Sequence, residues 1–277
     1  MRKKILISSV SILLIIITSI IYLSVYGVKT DKFNRFINNK VKDYNSKLTL
    51  QIENVYIKLN LSESAIKINT KNSNLIAESN AIKISNIDIN LNLIKFLKNE
   101  SSIKNIKIKS ASNLIKDVTS FLNTIDYNLT RYIFYSQIKE GLLNFELDAK
   151  LDSKRQESLS YFISGSVSNA KLNIPGYESL NDLNFNFKFQ DRITKISNLN
   201  FIYQKIIFSS KRLDVKEQVS GVYYVEGDIE NTKALINPNL IFKFTNIKQD
   251  YLSNKDILFQ SKNLFSFKLN KIGRAHV

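Results

Sequence analysis

Residues 183–189 read LNFNFKF. On an extended chain Leu183, Phe185, Phe187 and Phe189 fall on one side, and Asn184, Asn186 and Lys188 on the other. Alternation with period two specifies a strand with one buried face. Burying four such side chains is worth about 6–12 kcal/mol, so a second sheet, a helix or a guest molecule must cover them. The same grammar runs through the chain from residue 48. VYIKLNL aligns Val55, Ile57, Leu59 and Leu61; NIDINLNL aligns Ile87, Ile89, Leu91 and Leu93; GLLNFELDAKL aligns Leu143, Phe145, Leu147 and Ala149. AIKIN and IKNIKIK are shorter versions. Asn, Ser, Glu and Lys clusters between the strands suit turns. Strands arrive every ten to fifteen residues without long helices between them, which predicts an antiparallel meander rather than a βαβ fold.

One interruption stands at 113–140. Leu114, Ile115, Val118, Phe121, Leu122 and Ile125 recur at helical spacing, predicting one or two helices. Further on, YFISGSVSNAK (Tyr161–Lys171) and YYVEGDIENTK (Tyr223–Lys233) match at Gly165/Gly227, Val167/Ile229, Asn169/Asn231 and Lys171/Lys233. Glycine inside a strand marks a bulge or bend, and asparagine suits a turn of the chain. The pair reads as a repeated strand module, built by addition. Pro175-Gly176 between the copies predicts a type II turn.

Ile5 to Tyr26 carries no charge over 22 residues. As a helix it would extend about 33 Å, the thickness of a bilayer's hydrocarbon core. Arg2, Lys3 and Lys4 precede it, which places the N-terminus in the cytoplasm and the bulk outside. A cleaved signal peptide has a shorter apolar run and a small-x-small site; SVYGVKT offers a poor one, so the reading is an uncleaved anchor. Next comes a short amphipathic helix, with Asp31 as its cap and Phe33, Phe36, Ile37, Val41 and Tyr44 on one face. Lys32, Arg35, Lys40 and Lys42 suit anionic headgroups or a solvated basic face. The predicted organisation is thus a basic tail at 1–4, an anchor at 5–26, an amphipathic linker at 27–46, a β-module at 47–110, a partly helical connector at 111–140 and repeated β-modules at 141–271.

Composition excludes most chemistry. Cysteine is absent and the one histidine is His276, so the chain lacks the means for disulfides, Cys/His metal sites and Ser-His or Cys-His nucleophiles. Asp148, Asp152, Asp191 and Glu226 are the candidates for a carboxylate pair of the glycoside-cleaving kind, but they are scattered among strand ends, where carboxylates ordinarily serve solubility. Seven glycines form no phosphate-binding loop. Sequons at Asn60, Asn99 and Asn128 are expected by chance in so Asn- and Ser-rich a chain. No cofactor and no enzymatic activity are expected. A net charge of +16 arises from lysines dispersed through the strands. With abundant Asn and Ile, they are what an AT-rich coding sequence supplies. Nucleic-acid binding needs a clustered basic footprint and is not expected. The terminal IGRAHV, Ile272 to Val277, resembles a sequencing-library adapter translated in frame. It is set aside, with the natural chain expected to continue beyond Lys271.

A basic N-terminus, one anchor and a short helix lead into NIDINLNLIKFLKNESSIKNIKIKS. This arrangement resembles the start of the AsmA-like family of Gram-negative bacteria. Ile87, Ile89, Leu91, Leu93 and Leu97 fill the first part of that family's pattern of alternating aliphatics, and Ile103, Ile106 and Ile108 the second. The later modules are similar to the middle of the long YhdP-type members. The resemblance covers most of residues 1–271 and rests on residue classes. It implies an inner-membrane-anchored periplasmic protein, related to chorein-type lipid-transfer proteins, with a curved antiparallel β-groove. On that implication Val55, Ile57, Leu59, Leu61, Ile87, Ile89, Leu91, Leu93, Leu143, Phe145, Leu147, Leu183, Phe185, Phe187 and Phe189 line a trough for phospholipid acyl chains passing between inner and outer membranes. The related TamB-type proteins imply an alternative, an anchored scaffold that partners outer-membrane or periplasmic assembly proteins through a sheet edge.

Overall fold

The computed structural model describes residues 2–32, 34–98, 103–126, 136–152, 158–219, 221–236 and 257–270. In chain order the elements are α1 (Arg2–Val25), β1 (Val28–Thr30), α2 (Asn34–Tyr44), β2 (Leu48–Gln51), β3 (Val55–Asn60), β4 (Ala65–Ala77), β5 (Asn80–Asn92), α3 (Leu93–Leu97), β6 (Ile103–Ser110), β7 (Asn113–Leu114), α4 (Ile115–Ile125), β8 (Ile138–Asp152), β9 (Ser158–Leu172), β10 (Leu180–Gln190), β11 (Ile193–Tyr203), β12 (Ile206–Val219), β13 (Val222–Asn231), β14 (Ala234–Ile236), β15 (Ile257–Phe259) and β16 (Lys262–Asn270). The protein is mainly β. Its large antiparallel sheet runs β1-β3-β4-β5-β6-β8-β9-β10-β11-β12-β13-β16, with β2 on β4 and β7 on β8, while β14 and β15 pair separately. Strands adjacent in sequence are mostly adjacent in space, as the alternating pattern predicts. The chain divides into two compact units, Met1–Tyr132 with Asn144–Ile163, and Ile133–Leu143 with Ser164–Val277.

In the first unit, α1 takes up the uncharged N-terminal run. The amides of Tyr26 and Gly27 both donate to the Tyr22 carbonyl, at 2.8 and 3.3 Å. Gly27 closes the helix at φ +71°, and a Cβ there would lie 2.8 Å from the Ile57 carbonyl oxygen and from the Tyr56 ring. Only glycine admits both the left-handed turn and the close approach. Among the described residues no helix is long and apolar enough to cross a membrane; the described side chains of α1 begin at Ser9.

α4 buries Ile115, Val118 and Phe121 as it packs on β5 and β4, where Ile82 and Ile84 are also buried. Its last turn is latched. Thr124 Oγ1 accepts from Asn80 Nδ2 at 3.1 Å, and the Thr124 carbonyl accepts from Lys47 Nζ at 2.9 Å. Five sequence expectations need correction here. Leu114 belongs to β7 and is exposed, because the helix begins one residue later. Tyr44 is 90% exposed rather than on the buried stripe of α2. Leu61 lies past the end of β3, in the turn to β4. Leu93 opens α3, since Asn92 Oδ1 accepts from the Lys95 amide at 3.1 Å and turns the strand into a helix. The connector predicted over 111–140 ends earlier, since β8 begins at Ile138; Phe33 and residues 127–135 lie outside the described residues.

Several strands switch parity. In β4 the inward positions run Ile66, Ile68, Thr70 and then Ser73, Leu75, Ala77. Asn72 supplies the extra residue at φ +51°, and the buried Thr70 and Ser73 hydroxyls meet at 3.0 Å, on one face. In the second unit Asp182 and Asn198 take φ of +49° and +53° inside β10 and β11. Short polar side chains tolerate this left-handed conformation. Phe201 pairs Phe208, which pairs Asn231; Ile196 pairs Leu213, which pairs Gly227. Asn231 and Gly227 share one face of β13, so the apolar stripe stays on that face across the bulges. Side chains brace the row. Asn184 Nδ2 donates to the Asp182 carbonyl at 2.6 Å and to Asn200 Oδ1 at 3.1 Å. Asn200 Nδ2 reaches the Asn198 carbonyl at 3.4 Å, and Asn184 Oδ1 accepts from the Asn169 amide at 2.9 Å. The carboxylate of Asp228 in β13 accepts the β12 amides of Arg212 and Lys211 at 2.9 and 3.4 Å. Opposite that bulge, a Cβ on Gly227 would lie 2.8 Å from the Arg212 carbonyl oxygen. Gly227→Ala should therefore cost about 1–3 kcal/mol, and Phe121→Ala about 3–5 kcal/mol; chemical unfolding followed by circular dichroism measures both.

Candidate functional site

The first unit's apolar face consists of cross-strand rows with graded closure. Val55, Thr70, Ile87, Ile108 and Leu147 form one row. Val55 is 0% exposed and Ile87 6%; both are sealed core with no surface for a guest. The next row, Ile57, Ile68, Ile89, Ile106 and Ala149, is half-buried up to its buried end at Ala149. Beyond it stand Leu59, Ile66, Leu91 and Ile103, half-buried apart from the exposed Ile103. Leu61 and Leu97 at that end are exposed. Closure thus falls off from the α4 end of the strands toward the α3 end. Leu143, Phe145 and Leu147 of β8 are half-buried, and the Phe145 amide donates to Ser110 Oγ at 2.8 Å.

In the second unit Leu183, Phe185, Phe187 and Phe189 share one face of β10 and are all half-buried. Phe185 and Phe187 approach with ring centroids 6.4 Å apart. Their row continues through Ile196, Leu213, Gly227 and Phe265. Across the bulges, Phe201 and Phe208 stack at 5.3 Å and 13°. They line a concavity of about 390 Å³ with Ile174, Tyr177, Leu180, Tyr203 and Ile229. Every lining side chain is aliphatic or aromatic, and the volume falls in the range of small-ligand sites. Burial first, then the charge of Glu178, holds the Tyr203 phenol above its ordinary pKa. The Pro175-Gly176 turn that carries Tyr177 is type II as expected, with Gly176 at φ +81° and the Tyr177 amide donating to Ile174 at 2.9 Å. Alternation pointed to the Phe185 row; the concavity was missed, because its residues fall on both sides of parity switches.

The repeat residues take different parts in the two copies. Gly165 is half-buried within β9, while Gly227 sits against the bulge. The asparagines do not turn the chain as expected. Asn169 bulges the interior of β9 at φ +52°. Asn231 is buried at the end of β13, its Oδ1 accepting from the Ser261 amide at 2.8 Å and hydroxyl at 2.7 Å.

On the opposite, polar face two of the scattered carboxylates, Asp148 and Glu226, are engaged in ion pairs. Asp148 meets Lys107 at 3.4 Å, and Glu226 meets Lys216 at 3.2 Å. Asp214 is 1% exposed, and its Oδ2 accepts from Arg212 Nε at 3.0 Å and Nη2 at 2.5 Å. These guanidinium bonds outweigh burial and hold its carboxyl below the ordinary range, with Lys195 and Lys216 adding to the effect. Burial pushes Asp228 the other way, but the Arg212 and Lys211 amides outweigh it and the net shift is also downward. A depressed carboxyl contributes stability that is full above its unfolded pKa and is lost as pH falls through the folded one. Stability should therefore decline below about pH 4. Asp214→Asn should remove part of that acid dependence and cost about 1–3 kcal/mol at neutral pH, measured by urea unfolding across pH.

Comparison with protein-family models, with curated proteins and with solved structures finds no match to this chain.

Proposed function

We propose that this chain is a membrane-anchored carrier of phospholipid acyl chains, of the AsmA-like kind, working without making or breaking bonds. The observation that carries this reading is the second unit's apolar face. Its aromatic rows stay half-exposed and open onto a concavity with a wholly apolar lining. Hydrocarbon completes such a face at about 0.8 kcal/mol per buried methylene. Headgroups remain in water, so selection among them is weak and transfer is passive.

The anchor is α1. At 24 residues it extends about 36 Å, and Val10, Leu13, Leu14, Ile17 and Ile21 are exposed around it, as befits a helix solvated by lipid. Arg2, Lys3 and Lys4 at its start orient the N-terminus to the cytoplasm. On this reading the sheet stands in the periplasm, between inner and outer membranes. A scaffold role is the second reading. It is favoured by β16, which ends the described strand order and leaves Leu264 84% exposed, an edge suited to strand addition.

The test is lipid co-extraction. The full chain, taken from membranes in mild detergent, should carry phospholipid measurable by mass spectrometry. Phe187→Asp and Phe208→Asp should lower the bound lipid at least several-fold with the circular dichroism spectrum retained. Lipid-free protein, or an unchanged content in both variants, points to the scaffold instead.

A further inference from the structure

The first unit carries a second concavity, on the polar side of the sheet. About 620 Å³ in volume, it is bounded by β1, β3, β4 and β5 and by the loop of Glu53 and Asn54. Lys29, Lys58, Lys67 and Lys71 reach it from three neighbouring strands. Lys58 stands directly opposite Lys67 in the β3–β4 register. Like charges so placed repel, and an anion seated between them relieves the repulsion. Lys67 has Glu63, at 3.3 Å. Lys58, half-buried, has no hydrogen-bond or ion-pair partner among the described residues, and neither have Lys29 and Lys71. The two acids of the cavity do not serve them. Both oxygens of Asp88 are occupied by amides, Oδ1 by Asn69 at 2.6 Å and Oδ2 by Asn86. Glu53 makes no ion pair among the described residues and sits on the opposing loop. The Tyr56 hydroxyl is turned away, donating to the Tyr26 carbonyl. The wall therefore presents three unanswered ammonium groups and a repelled pair to one space.

We propose that this concavity binds the phosphate of an anionic lipid headgroup. Position supplies the source. Lys29 follows Gly27, the residue that ends α1, by two places, and β1 pairs with β3, so that Lys29 lies opposite Tyr56. If α1 crosses the bilayer, this wall stands at the outer headgroup layer, where each basic residue gains from anionic lipid. The source of the phosphate rests on that anchored reading; the cation cluster does not. The site is separate from the first unit's apolar rows, which lie on the other side of the same strands. It would hold the foot of the sheet against the membrane surface.

Lysine footprinting tests this on the full chain in lipid nanodiscs. Acetylation of Lys29, Lys58 and Lys71 should be at least several-fold slower in phosphatidylglycerol discs than in phosphatidylcholine discs, with Lys116 and Lys188 unchanged as controls. Inorganic phosphate added to the phosphatidylcholine discs should protect far less. Removing two lysines by Lys58→Gln with Lys71→Gln should weaken anionic-lipid binding about 10- to 30-fold and abolish the extra thermal stability that anionic discs confer. Lys58→Arg should retain it, which separates lost charge from lost folding. Equal labelling in both discs overturns the site, and equal protection by free phosphate overturns the lipid source. Retention of the chain by the discs in high salt scores the anchor independently. A chain that is not retained is labelled in detergent with glycerophosphoglycerol, where protection of Lys58 and Lys71 upholds the headgroup site and its absence overturns it.

Discussion

An antiparallel sheet satisfies its backbone internally and leaves one oily face to be satisfied by something else. That requirement governs both units. In the first, α4 answers it locally: Phe121 and Val118 seal the rows near Ile82 and Ile84, and the seal thins toward Leu59 and Leu91. In the second, aromatic side chains partly cover one another, as Phe201 does Phe208. The difference in closure makes the second unit the better candidate for a hydrocarbon guest.

The face survives over long strands only because the parity breaks are coordinated. A single extra residue would send every later side chain to the opposite side. Here the offset passes in step from Asp182 in β10 to Asn198 in β11 and on to Arg212 in β12, while β13 runs through without one, and hydrogen bonds from Asn184, Asn200 and Asp228 hold the offsets in place. Bulges also bend and twist the strands that carry them, so the residues that preserve the stripe also shape the concavity beside Phe208.

Much of this was legible in the chain. Alternation gave the meander, the Phe185 row and the half-buried state of Ile57, Leu59, Ile89 and Leu91. The amphipathic pattern gave α4, and Pro175-Gly176 gave its turn. The rest lacked the usual signals. Hairpin turns at Asp191-Arg192 and Gln204-Lys205 adopt positive φ at both residues without glycine, so the Asn-Gly or Asp-Gly mark of such turns is missing. The bulges hide in DLN (182–184) and NLN (198–200), which read as ordinary polar alternation until the left-handed residue is known. Leu61 and Leu93 continue the alternating pattern past the strand ends, because a local cap such as Asn92 outranks periodicity. The cluster of Lys29, Lys58 and Lys71 was diluted among forty basic residues; cross-strand register alone assembles it.

The matched offsets also bear on how such a chain grows. A hairpin whose two strands both carry the shift can be duplicated and stacked beside its parent without disturbing either side. A hairpin lacking it would twist its partner out of phase. Lengthening by duplication would favour copies that inherit the irregular residue, which in this pair of strands lies within Asp-Leu-Asn and Asn-Leu-Asn.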